Sequence, residues 1–111
     1  MVRTKIIESR IRGLAKDLYL AGYQPGKIML FGSYATGTAT NQSDIDVAIW
    51  AKGFTGARAL DIEKIAHIIS KYPLIELHTF SLDEKEESDP FMDEILHTGT
   101  DYSGYLPSFQ A

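Results

Sequence analysis

Apolar residues recur near the start of the chain at Ile7, Ile11, Leu14 and Leu18, with charged residues between them. That spacing of three and four predicts an amphipathic helix over residues 3–21, with Gly22 where a C-terminal cap belongs. Pro25-Gly26 then marks a turn. The apolar run Lys27–Phe31 follows as a first strand. Asp44–Trp50 alternates and predicts a second strand, with Ile45, Val47 and Ile49 on one face and Asp44, Asp46 and Trp50 on the other. Lys52-Gly53 and Thr55-Gly56 end it. A second helix is expected from about Ala57 to Lys71, with Ile62, Ile65, Ala66 and Ile69 inward and Pro73 as its stop. Leu74–Phe80 is a third strand. By parity Ile75, Leu77 and Thr79 face the core, and Leu74, Glu76, His78 and Phe80 face the other way. Asp89-Pro90 supplies an N-cap and first position for a short helix reaching His97, closed by Gly99. Residues 100–111 carry Pro, Gly and three rings, and either dock or stay flexible.

This order predicts an α+β domain, a small three-stranded mixed sheet with helices on one face. The helix between strands two and three implies a right-handed crossover that leaves those strands parallel. The long loop between strands one and two is compatible with antiparallel pairing. The other sheet face is then open and carries Asp44 and Asp46. Glu76 joins them there, one strand spacing of about 4.8 Å away if the strands are neighbours.

Composition narrows the class. A chain of 111 residues suffices for one domain with a modest core. Its 44% apolar and 23% charged content excludes a disordered protein. The lack of cysteine excludes disulfides and thiolate metal sites. Charges interrupt the N-terminal apolar positions, unlike a signal peptide, and no apolar stretch approaches the ~20 residues that span a bilayer. A cytoplasmic protein with no membrane partner is the expectation. The net charge of −4 hides an asymmetry, since residues 1–30 carry six Lys/Arg against two acids and residues 31–111 carry five against thirteen. Arg3, Lys5, Arg10, Arg12 and Lys16 put the basic residues on the first helix. They form either a solvated face or a docking surface for an acidic partner or a nucleotide's phosphates. With no stronger basic face, a nucleic-acid partner is not expected.

The chemistry concentrates between Lys27 and Trp50, KIMLFGSYATGTATNQSDIDVAIW. Gly32-Ser33 is separated from Asp44-Ile45-Asp46 by ten residues, longer than an ordinary hairpin loop. Gly32 lets the backbone approach a ligand, and Ser33 offers a hydroxyl and an N–H, as a phosphate-binding turn requires. The loop lacks the lysine of a P-loop and the three glycines of a dinucleotide fold. Asp44 and Asp46 lie about 6.6 Å apart along one strand face. From there they can converge on Mg²⁺ or share two ions. His67, His78 and His97 have no metal-ligand spacing with one another; His78 lies beside the proposed site and is the one open to a substrate contact. The acidic run Asp83 to Asp89 is a solvated loop on this reading, and Trp50 either stacks on a base or sits at the edge of the core.

The Gly-Ser pair, ten residues and Asp-x-Asp resemble the signature of the polymerase-beta-like nucleotidyltransferase superfamily. At this length the chain resembles its minimal nucleotidyltransferase (MNT) family, over roughly Ile28 to Phe80. The resemblance implies the nucleotidyltransferase fold, a nucleoside triphosphate such as ATP with its phosphates at Gly32-Ser33, and Mg²⁺ or Mn²⁺ held by Asp44, Asp46 and Glu76. The same three residues would be catalytic. Glu76 stands where the superfamily usually has Asp. MNT proteins pair with a small helical HEPN protein as antitoxin and toxin, and the resemblance implies AMP transfer to a tyrosine of that partner. Glu76 also keeps a different class open, a binding module with little or no catalysis that neutralises its partner by contact. A transferase acting on a small molecule or an RNA end is a third reading.

Overall fold

In the computed structural model, which describes residues 4–83 and 89–106, the first helix, α1 (Thr4–Leu20), buries one stripe. Ile7, Ile11, Leu14, Ala15 and Leu18 lie against the sheet, as the three-to-four spacing demands. Gly22 ends the helix at φ +101°, and Tyr23 N–H donates back to the Leu18 carbonyl at 3.0 Å.

The sheet is mixed and its order is β3-β2-β1-β4. Strand β1 (Gln24–Phe31) pairs antiparallel with β2 (Ile45–Lys52), and β2 pairs parallel with β3 (Ile75–Ser81). Both pairings follow the expected topology. The count differs, however, because Thr100–Asp101 adds a fourth strand, β4, against Met29 and Leu30. Two residues cannot show an alternating pattern. Backbone and side-chain bonds hold this segment, with Tyr102 N–H on the Ile28 carbonyl at 2.8 Å and Ile28 N–H on Ser103 Oγ at 3.0 Å. A 3₁₀ turn, Ser103–Tyr105, follows. Pro25-Gly26 is also not a turn before β1 but part of it, at a register irregularity between Pro25 and Lys27 that tolerates the missing N–H.

The expected second helix is two short ones, α3 (Arg58–Lys64) and α4 (Ala66–Ile69), with Ile65 between them at φ −114°. The break rotates the inward stripe. Ile65 and Ile68 are buried with Asp61, whereas Ala66 is exposed and Ile62 and Ile69 are only partly covered. Helix α5 (Pro90–Thr98) forms as its caps predict. Asp89 accepts from Phe91 N–H at 2.9 Å and from Met92 N–H at 3.4 Å, and Gly99 N–H donates to the Ile95 carbonyl at 2.8 Å.

Helices do not keep to one face. Met92 and Ile95 of α5 pack on the sheet opposite α1, against Met29, Phe31, Ala48, Trp50 and Phe80. Those side chains make an apolar half-face that water would not cover cheaply, and α5 removes it from solvent. Trp50 belongs to this second core, its ring stacked on Phe80 at 4.8 Å. The polar end of the same face stays open. Arg3, residues 84–88 of the acidic run and residues 107–111 of the tail lie outside the described residues. Among the described residues no helix is long and apolar enough to cross a membrane.

Candidate active site

Strand β1 ends at Phe31, and Gly32 turns the chain into the single-turn helix α2 (Ser33–Thr36). Gly32 has φ +72°, a conformation that side chains rarely adopt. A Cβ built there would also run into the Asp46 carboxylate. Glycine is therefore required twice, by the turn and by the closeness of the acid. The Gly32 carbonyl accepts from Ala35 and Thr36 N–H at 3.0 and 3.1 Å, closing the turn. Farther along, Thr40 N–H donates to Ser43 Oγ at 2.8 Å and shapes the approach to Asp44.

Asp46 is half-buried, opposite Phe31 on β1 and in register with Glu76 on β3. Glu76 and His78 share that face, as strand parity requires. One carboxylate oxygen each from Asp46 and Glu76 and one ring nitrogen of His78 all lie within 4.8 Å of one another. Asp44 is exposed, one residue before β2, and stands outside that group. Its charge still acts on Asp46. The structure thus joins two of the three expected carboxylates with a histidine and leaves Asp44 at the rim. Ser33 opens α2, immediately after the glycine that abuts Asp46.

The electrostatics mark this group off. Burial first, then the Glu76 charge, a hydrogen bond with Glu76 and the Asp44 charge push the Asp46 pKa up to about 6, with Arg58 partly offsetting them. Asp46 thus keeps its proton to higher pH than a free carboxyl unless a cation takes its place. Burial and the Arg58 charge hold His78 below its ordinary value against the pull of Glu76, so its imidazole is mainly neutral at pH 7. Phe31 and Phe91 meet the His78 ring edge-on at 5.1 and 5.6 Å. Between β1 and α5, beside Gly32, opens a cleft of about 310 Å³ lined by Phe31, Thr36, Phe91, Glu94, Ile95 and Thr98.

Arg58 is a site residue that sequence reasoning missed. Its Nε donates to the Leu77 carbonyl at 2.7 Å, and its Nη2 lies 3.6 Å from Glu76 Oε1. Nothing in the pattern singles out a first-turn arginine; only the crossover that lays α3 along β3 brings it to the carboxylates. His67 is exposed on α4, and His97 sits 3.1 Å from Asp93 at the end of α5. Neither belongs to the cluster.

Two anionic oxygens and a neutral nitrogen within reach of one point fit a divalent cation, which would relieve the repulsion that raises Asp46. The nucleotidyltransferase domain family's model matches residues 8–97. Among solved structures, a candidate nucleotidyltransferase from Sulfolobus solfataricus is similar at 19% identity and a TM-score of 0.49, covering 90% of this chain and 87% of that one. No curated protein matches the chain.

Proposed function

The chain belongs to the nucleotidyltransferase domain family, and from that premise we propose that it transfers AMP from ATP to an acceptor hydroxyl, with Mg²⁺ or Mn²⁺ as its ion. The observation that carries the reading is the in-register pair Asp46 and Glu76 set against Gly32. Asp46 and Glu76 would hold the ion, with Asp44 reaching in from the rim. When bound, the ion supplies charge stabilisation to the attacking and leaving oxygens. The Gly32-Ser33 turn would receive the phosphate oxygens through backbone N–H groups and the Ser33 hydroxyl. The acceptor oxygen attacks the α-phosphorus, pyrophosphate leaves, and Glu76 accepts the hydroxyl proton. The chain's contribution is chiefly position and charge.

The acceptor in this proposal is a tyrosine hydroxyl on a small helical HEPN-type partner, with this chain as the antitoxin of a toxin–antitoxin pair. That part rests on the resemblance of residues 28–80 to MNT proteins. A second reading, a binding module that neutralises the partner by contact, draws on the Arg58–Glu76 pair, which engages the carboxylate needed as a base.

Incubation with α-labelled ATP, Mg²⁺ and a HEPN-type partner separates the two. Label on the partner with wild type and none with Asp46→Asn supports transfer. Undiminished label with Asp46→Asn overturns the site. Neutralisation without label establishes the binder instead.

A further inference from the structure

The reaction above uses carboxylates alone, yet the donor group that the fold assembles contains an imidazole and excludes Asp44. We propose that His78 is a nitrogen ligand of the ion, so that the site prefers a later first-row transition ion such as Co²⁺ or Zn²⁺ over Mg²⁺. The inference rests on the nucleotidyltransferase reading for what the ion does. Its own support is geometric and chemical.

His78 follows Glu76 by two residues on β3, so strand parity puts both on the open face beside Asp46. Its partner across the parallel pair is Ala48, whose methyl group leaves the space over the sheet to the ring. Phe31 and Phe91, themselves in contact, both meet that ring edge-on and limit where its nitrogens can go. A half-buried imidazole packed against two rings, with one nitrogen within 4.8 Å of two carboxylate oxygens, is positioned before any ion arrives. Only small side-chain adjustments are then needed to bring all three atoms to ligand distance. Chemistry decides which ion gains. Mg²⁺ takes oxygen ligands in near-ideal octahedra and gives up water reluctantly. Imidazole nitrogen suits the later first-row ions, whereas carboxylate, carbonyl and water donors suit Mg²⁺. Adding His78 to Asp46 and Glu76 in the inner set therefore moves the preference in one direction.

The test uses the full chain and the metal alone, without nucleotide or partner. Mn²⁺ bound to the wild type is examined by electron spin-echo modulation, which detects directly coordinated nitrogen. We expect nitrogen couplings from imidazole, changed in the isotopic sense when the protein carries ¹⁵N-histidine, and absent in His78→Gln. The isotope experiment needs no substitution, so it holds even if the variant packs poorly against Phe31. In parallel, Co²⁺ should bind the wild type at least about 100-fold more tightly than Mg²⁺, and His78→Gln should cut that ratio at least tenfold. Mn²⁺ bound without nitrogen couplings, with the ratio unchanged in His78→Gln, overturns the inference and leaves the nucleotidyltransferase reading standing. No binding of either ion, with ATP transfer absent as well, overturns both.

Discussion

Two aspartates of this protein show opposite uses of one side chain. Asp61, on α3, is 2% exposed and faces the main core. Burial alone would raise its pKa, but Thr55 N–H, Gly56 N–H and the hydroxyls of Thr55 and Thr79 donate to it at 2.8–3.2 Å and hold it below the ordinary value. Asp46, half-buried on the opposite face of the sheet, is pushed up to about 6 by burial first and then by its neighbours Glu76 and Asp44. Strand β3 serves both, with Thr79 turned to one aspartate and Glu76 to the other. Burial pushes both upward. The sign of the neighbours separates them. Donors fix Asp61 as a charged joint between the β2–α3 loop and β3, while acids leave Asp46 in need of a cation.

That contrast breaks or sharpens under substitution. The largest effect belongs to Asp46→Asn, which should lower nucleotide transfer at least about 1,000-fold, roughly 4 kcal/mol of transition-state stabilisation. Circular dichroism should meanwhile show an unchanged fold. Asp61→Ala should reverse the pattern. It strands the Thr55 and Gly56 N–H groups and the Thr79 hydroxyl, so urea unfolding should show a loss of about 3 kcal/mol or more. A cost below about 1 kcal/mol would end the claim that Asp61 is a joint. Gly32→Ala comes next, at about 1–3 kcal/mol for a side chain forced to φ +72°. Because its Cβ meets the Asp46 carboxylate, ion affinity by calorimetry should fall with it.

The smallest effect is a pH dependence. Asp46 binds a proton more tightly folded, at about 6, than its unfolded value of 3.8. The native state therefore holds more protons between those values, and the stability of the ion-free protein should decline as pH rises through that window. After discounting for solvent screening the decline is about 1 kcal/mol. Asp61 acts in the opposite sense, with its contribution present above about pH 4 and lost as pH falls through its depressed value. Urea midpoints across pH 4–7 should show the decline in wild type and a flatter profile in Asp46→Asn.

Much of this was legible in the sequence because two periodicities carry it. Period two put Glu76 and Asp46 on one face, and the crossover rule made their strands parallel neighbours. The capping residues Asp89, Pro90 and Gly99 marked α5 nearly to the residue, though not which face it would cover. That depended on the summed apolar area of Met29, Phe31, Trp50 and Phe80, drawn from three strands at once. Strand β4 is too short to carry a pattern. Asp61 is singled out by no local pattern, since its donors come from Thr55, Gly56 and a strand 18 positions away. Strand parity also put His78 beside the site, whereas Arg58 joins it through a tertiary neighbour, the Leu77 carbonyl, which no local spacing encodes.

The parallel pairing of β2 with β3 has a kinetic consequence. Positions 46 and 76 meet only after the whole crossover through α3 and α4 has closed, a non-local step that chains reach slowly. Until then no binding site exists for an ion to occupy. A cation can therefore act only on chains whose two strands have already found each other. Its stabilisation should appear mostly in the unfolding arm of the chevron, lengthening the life of the folded protein without hastening its formation.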